Sequence, residues 1–230
     1  MLTLENMHVD LGGFTLDATL SVEPGRKVAI LGPSGAGKST LLAAIGGYQP
    51  ASGRVLWSGT DLSATPPAQR PITTIFQDNN LFPHLTAAQN VGLGVRPDLR
   101  LSRGDAARVD EALNRVGLAG LGPRKPAALS GGQIARVALA RALLRDKPIM
   151  LLDEPFGALG PALRDEMLGL VAALADETGA TLLMVSHEPG DARRIADDVI
   201  LVADGVAHAP VPTAEIFAHP PEALRDYLGH

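Results

Sequence analysis

The feature that most constrains this chain is a join: the apolar run Lys27–Leu31, KVAIL, passes without a spacer into GPSGAGKST, residues 32–40. A buried strand that ends in a tight Gly-rich turn and continues into a helix-forming stretch points to a sheet with helices packed on it. Residues 32–39 also satisfy the spacing G-x-x-x-x-G-K-[ST], a loop whose glycines let successive backbone N–H groups curl round a β-phosphate. In such a loop Lys38 neutralises β/γ oxygens, Ser39 can ligate Mg²⁺, and the following helix adds its positive end. The pattern arises by accident in roughly one in a hundred chains of this length, and its strand-loop-helix setting lowers that further. Gly32, Pro33, Ser34, Gly35, Ala36, Gly37, Lys38, Ser39 and Thr40 are therefore the first candidate nucleotide-binding residues.

The rest of the composition bounds the class. At 230 residues, 46% hydrophobic and 20% charged, the chain suits one globular domain or a core with one inserted subdomain. A formal net charge of −5 argues against a surface built to coat nucleic acid. No apolar run approaches the roughly 18 residues that cross a bilayer. The opening MLTLENMHVD lacks the basic and apolar regions of a signal peptide, so the chain is expected in the cytosol. The absence of cysteine removes disulfides, thiolate catalysis and Cys-based zinc sites.

Residues 14–22 alternate strictly, with Phe14, Leu16, Ala18, Leu20 and Val22 on one face and Thr15, Asp17, Thr19 and Ser21 on the other, which predicts a half-buried strand. Glu23-Pro24-Gly25 turns it into the strand before the phosphate loop. After that loop, residues 40–45 read as helix with Gly46-Gly47 as its stop. RVLWSG, residues 54–59, predicts a short strand in which Trp57 packs. Between Pro66 and Pro97 the chain becomes Pro-, Gly- and Asn-rich, a loop-laden connection into a second subdomain, because TPPAQRP and RPDLR cannot be element interiors. From Ser102 an S-x-x-D capping signal leads a helix with Val109, Leu113 and Val116 at helical spacing and Gly117 as stop. LSGGQ then opens a helix to about Arg145. Two apolar strands, IMLLD and TLLMVS, flank a helical stretch over residues 161–176, an alternation that implies a parallel sheet with crossover helices.

The run IMLLDEP delivers Asp153 and Glu154 at a strand end. Asp153 is the candidate Mg²⁺ partner of Ser39, and Glu154, pointing differently, can polarise a water against a γ-phosphate. Taken alone an acidic strand end means little; beside the phosphate loop it reads as function. The phosphate loop, a Gln in IFQDNN, LSGGQ, LLDEP and a His in MVSHE, in that order, resemble the ATP-binding subunit of an ABC transporter over nearly the whole chain. That resemblance implies an α/β fold: a P-loop NTPase core with an N-terminal antiparallel β layer and an inserted α-helical subdomain, residues 1–76 and 146–230 forming the core and 77–145 the helical part of a single domain. It implies ATP and Mg²⁺ as ligands, Gln77 as a sensor of Mg²⁺ and the γ-phosphate, His187 as a γ-phosphate switch, and Ser130, Gly131, Gly132 and Gln133 as the half-site for a nucleotide held by a second copy. Its implied partners are that second copy, an integral membrane permease and, indirectly, a periplasmic solute-binding protein, with no nucleic acid; its implied place is the cytoplasmic face of the inner membrane. TPPAQRP, IFQDNNLFPHLTAAQNVGLG, LLMVSH and VADG are most similar to the subunits that power bacterial thiamine import; iron, sulfate, polyamine or sugar importers are the alternative. His84, His208 and His219 carry no such support.

Three positions depart from the family's pattern. Gly160 replaces the usual aspartate after LLDEP at an expected helix N-cap ahead of Pro161, where glycine costs only a few tenths of a kcal/mol but removes the carboxylate expected to reach across the dimer. Ile134 replaces a cation after LSGGQ. The aromatic expected to stack on adenine has no clear counterpart: Leu11 and Phe14 lie nearest, and Phe14 is in phase with the apolar face. Two other classes share parts of this pattern. A soluble ABC ATPase acting on DNA or ribosomes would carry basic extensions, a second module or coiled coils, and a small-molecule kinase has no use for LSGGQ.

Overall fold

The computed structural model describes residues 1–228. In chain order its strands are β1 (Leu2–Asp10), β2 (Thr15–Val22), β3 (Lys27–Leu31), β4 (Ser52–Trp57), β5 (Thr60–Asp61), β6 (Ile72–Ile75), β7 (Ile149–Asp153), β8 (Thr181–Val185), β9 (Asp198–Ala203), β10 (Val206–Ala207) and β11 (Val211–Pro212). The helices are α1 (Lys38–Gly46), α2 (Ala87–Gly92), α3 (Arg103–Arg115), α4 (Gly131–Arg145), α5 (Pro161–Thr178), α6 (Pro189–Ile195), α7 (Thr213–Ala218) and α8 (Glu222–Leu228). One sheet runs β5-β4-β1-β2-β10-β9-β3-β8-β7-β6, with β11 on β9. Its half from β9 to β6 is parallel. The strands β1, β2, β4 and β5 pair antiparallel and join the rest through β10.

Continuous apolar runs make the parallel strands buried on both faces. In β7 and β8, Ile149, Leu151, Leu183 and Val185 face a core shared with α1 and the antiparallel strands. Their neighbours Met150, Leu152, Leu182 and Met184 face the opposite core with Val91 of α2, Leu113 of α3, Leu139 of α4 and Met167 of α5. A period-2 strand thus glues two different layers. In β3, Ala29 and Leu31 turn instead to a third cluster with Ile216 of α7 and Leu224 of α8.

Several boundaries differ from the pattern reading. The helix after the phosphate loop starts at Lys38 rather than Thr40, because its N-cap Gly37 takes a left-handed conformation and the helix follows at once. The strand expected at residues 54–59 is β4, shifted to Ser52–Trp57, with Ser58 and Gly59 forming the turn into β5. Helix α5 runs to Thr178 and stops at left-handed Gly179. The stretch between Pro66 and Pro97 contains β6 and α2: β6 is four residues, ITTI, too short for a period to show, and it exists because β7 pairs with it. The first strand, β1, is masked in the sequence by a phase slip. Leu2 and Leu4 point inward, a bulge at Glu5 and Asn6 follows, and Met7 and Val9 point inward afterwards, so no single alternation spans it.

Candidate functional site

Register brings the motif ends to one edge. Ile30 pairs with Val185, Asp153 with Val185 and Ile75 with Leu152. The chain therefore leaves β3, β6, β7 and β8 at the same side into the phosphate loop, Gln77, Glu154 and His187, the side at which parallel sheets hold ligands.

The phosphate loop is wedged from two directions. At Gly32, φ 148°, an added Cβ would lie 2.0 Å from the Val202 carbonyl oxygen, and at Gly37, φ 102°, it would lie 2.6 Å from the Phe14 ring. Only glycine fits either place. Phe14 is half-buried against the α1 core, which supports its packing role, and Leu11 is exposed. Pro33, Ser34 and Gly35 are exposed, Ala36, Gly37 and Thr40 half-buried. Lys38 is only 4% exposed, and its Nζ donates at 2.8 Å to the carbonyls of Gly32 and Pro33. Burial lowers its pKa, with Glu154 and Asp153 opposing. The ammonium braces the loop through carbonyls that phosphate oxygens can replace.

Ser39 Oγ donates to Asp153 Oδ1 at 2.8 Å. Burial raises the Asp153 pKa, and this hydrogen bond opposes the rise. Glu154 follows at φ 48°, a left-handed state that costs on the order of 1–3 kcal/mol for a non-glycine and clusters at functional sites. That turn separates the two carboxylates: Asp153 meets Ser39, and Glu154 Oε1 lies 2.5 Å from His187 Nε2. Exposed Gln77 shares with Glu154 and His187 a cavity of about 340 Å³.

Three residues of that cavity carry no sequence signal. Arg164 Nη2 donates to Asp191 Oδ2 at 2.6 Å and to Ser186 Oγ at 3.2 Å, and Ser186 Oγ donates to Asp191 Oδ2 at 2.6 Å. The Glu188 N–H donates to Ser186 Oγ at 3.0 Å. Separations of 22 and 27 residues match no motif; the packing of α5 against α6 creates the network.

The second loop begins a different helix, α4. Ser130 Oγ accepts from Gln133 N at 3.3 Å while Gln133 Oε1 accepts from Ser130 N at 3.0 Å, a capping box that starts α4. It uses the Gln133 side-chain oxygen and leaves the Ser130 hydroxyl proton and the N–H groups of Gly131 and Gly132 for an anion. Leu163 packs over Gly132. Among the described residues, none of the hydrogen bonds of Ser130 to Gln133 reaches the phosphate loop. Farther along α4, Arg141 donates at 2.8 Å to the carbonyls of Asn79 and Asn80, two successive left-handed residues at φ 58° and 45°. This clasp ties the segment after Gln77 to the helix that LSGGQ begins.

A family model described as ABC transporter matches residues 16–157. The chain belongs to the ABC transporter family. It is 61% identical over 230 residues to the "Thiamine import ATP-binding protein ThiQ" of Cereibacter sphaeroides and 57% identical over 230 residues to the protein of that name from a Ruegeria species, covering 100% of both chains in each case. Among solved structures, the ATP-binding cassette MJ0796, described as a dimer in a post-hydrolysis state bound to ADP and Pi, superposes with a TM-score of 0.80 at 31% identity, over 93% of this chain and 99% of that one. The α/β fold of an ABC ATPase is thereby shown, and ATP binding with it.

Two of the three departures from the family pattern, Ile134 and Gly160, are physically mild in the single chain. Ile134 is half-buried and its N–H donates to the Ser130 carbonyl at 2.9 Å, the first i→i−4 bond of α4. Gly160 is the N-cap of α5, at φ −64° and ψ 157°, with no side-chain cap and open space within 4 Å of an added Cβ. Gly160→Asp is therefore expected to fit and to raise stability by about 0.3 kcal/mol. Urea unfolding checks this, and a loss beyond about 1 kcal/mol would contradict the open N-cap.

Proposed function

We propose that this chain is the ATP-hydrolysing subunit of a bacterial importer for thiamine and its phosphates, in which two copies close on two ATP molecules and drive a membrane permease. The observation that carries the dimer is the division of polar equipment within one chain. Lys38, Ser39, Asp153, Glu154 and His187 gather at one sheet edge, and the Ser130 hydroxyl proton and the free N–H groups of Gly131 and Gly132 stand at the start of another helix, α4. Two-fold pairing lets each loop of one copy complete the site of the other. Residues 77–145 act as the helical subdomain that carries Ser130 to the partner's nucleotide, and residues 1–76 with 146–230 form the core. The solute follows from full-length likeness to proteins named for thiamine import.

In this reading residues 32–40 cradle the β- and γ-phosphates, and Lys38 exchanges the Gly32 and Pro33 carbonyls for phosphate oxygens. Ser39, Asp153 and Gln77 would hold Mg²⁺. One hydroxyl, one carboxylate and one amide oxygen are hard donors few enough to leave room for waters and phosphate oxygens, as that ion prefers, and Ser39 and Asp153 are already in contact. Bound there, the ion would neutralise charge on the phosphates. Glu154 is the general base for the attacking water. His187 pairs with Glu154 and turns to the γ-phosphate when ATP binds. The opposing copy contributes Ser130, Gly131 and Gly132, and Gln133 shapes that loop.

The permease docks beside Gln77. Tyr48 and Phe82 are 50% and 48% exposed and line, with Phe76, Arg141 and Arg145, a groove of about 230 Å³. Exposed aromatics supply apolar anchors and the two guanidinium groups suit a carboxylate. A segment seated there presses on Asn80, which Arg141 connects to α4. The subunit works at the cytoplasmic face of the inner membrane, and a periplasmic solute-binding protein delivers the solute from the other side. No helix among the described residues is long and apolar enough to cross a membrane.

Glu154→Gln is expected to slow hydrolysis by about a hundredfold or more while giving ATP-dependent dimers on size-exclusion chromatography. A variant that stays monomeric at saturating ATP and Mg²⁺ would overturn dimer closure. Replacing both Tyr48 and Phe82 by alanine should weaken permease capture by about 2 kcal/mol or more; undiminished co-purification would place the docking surface elsewhere. In the assembly reconstituted with permease and binding protein, thiamine should stimulate ATP hydrolysis. Stimulation by a different solute alone would overturn the thiamine reading and leave the ATPase reading intact.

A further inference from the structure

The last described helix, α8, returns to the nucleotide edge of the sheet. Its Tyr227 Oη donates to the backbone carbonyl of His187 at 2.5 Å, across 40 residues of sequence. The ring is half-buried and packs on the cluster formed by Ala192, Ile216 and Leu224. Burial, and then the nearby carboxylates of Glu188, Glu154 and Asp191, raise the pKa of the phenol against a smaller opposing effect of Arg164. It therefore stays protonated and remains a donor.

The peptide plane between His187 and Glu188 is held at both ends. Its oxygen accepts from Tyr227, and its N–H donates to Ser186 Oγ at 3.0 Å. Ser186 is in turn fixed by Asp191, which Arg164 pairs. From this clamped plane the exposed imidazole reaches Glu154 at 2.5 Å. A side chain that must exchange one partner for another at the γ-phosphate needs a main chain that does not drift, because small displacements of a catalytic group lower the rate steeply.

We infer that Tyr227 is a positioning residue for the nucleotide site: from the C-terminal helix it fixes the main chain at His187, so that the imidazole moves between Glu154 and the γ-phosphate by side-chain rotation alone. The inference rests on the reading of His187 as the γ-phosphate contact and extends the functional site to a helix that none of the nucleotide motifs touches. It also makes turnover sensitive to anything that displaces α8.

Tyr227→Phe keeps the ring and removes the donor. In the transporter assembled with its permease in liposomes it should lower kcat about fivefold, the population factor of one intramolecular hydrogen bond, with KM for ATP changed by less than about twofold. In the isolated full-length chain, hydrogen exchange at the Glu188 amide should accelerate about fivefold, with the amides of α5 unchanged. In a His187→Ala background Tyr227→Phe should cause no further loss. Unchanged kcat, unchanged exchange at Glu188, an equal loss in the His187→Ala background, or an effect confined to Tyr227→Leu, which also removes packing, would each overturn the inference. If His187→Ala alone turns over like the unmodified chain, the His187 reading fails; accelerated exchange at Glu188 in Tyr227→Phe would then show the clamp intact and distinguish that failure from failure of the clamp itself.

Discussion

Everything at the nucleotide edge depends on the pairing of β8 with both β3 and β7. Val185 stands opposite Ile30 on one side and Asp153 on the other, and this one alignment sets the phosphate loop, the acidic pair and His187 level with each other. A slip along β8 would move each motif by a rise of about 3.3 Å per residue and exchange the residues committed to two different cores. Because Leu183 and Val185 belong to the layer with α1, and Leu182 and Met184 to the layer with α2 to α5, the hydrophobic pattern enforces the register at this edge. Packing and chemistry are specified by the same side chains.

The charged groups that gather there are satisfied by each other. Lys38 is held by loop carbonyls, Asp153 by Ser39 and Glu154 by His187. Buried or half-buried polar groups need such partners, since an unpaired one costs on the order of 1–3 kcal/mol. Each of these bonds joins a group read as a nucleotide contact to one that a nucleotide would displace or share. The left-handed Glu154 stores strain at the point where the two carboxylates part. Behind them, the network of Arg164, Asp191 and Ser186 and the hydroxyl of Tyr227 hold the backbone.

The legible parts of the fold are those whose signal is local. The alternation of β2, the apolar runs of β3, β7 and β8, the capping residue Ser102, the helix that LSGGQ opens and the stop at Gly47 all appear where periodicity and end chemistry place them, within a residue or two. The elements that escape are those made by their neighbours. β1 carries a bulge that reverses its phase at Asn6, and β6 is too short for any period. Site residues divide in the same way. Lys38, Ser39, Asp153, Glu154 and Ser130 sit in contiguous motifs, and Arg141, Arg164 and Tyr227 act through partners 22 to 62 residues away.

By itself the sequence determined the chemistry: a loop in which only glycine permits the close turns, a lysine and a serine at its end, two acids after a buried strand, and a second anion-seeking helix start. Those follow from residue types at fixed short spacings, because backbone conformation and hydrogen-bonding capacity are local properties. Only the tertiary structure decided which of these groups meet. It put Ser39 on Asp153 and Glu154 on His187, left Ser130 without a hydrogen bond to the phosphate loop among the described residues, and brought Tyr227 back to His187. Such contacts depend on strand order and register, which are settled by burying two faces of one sheet at once, and no short window of sequence contains that condition.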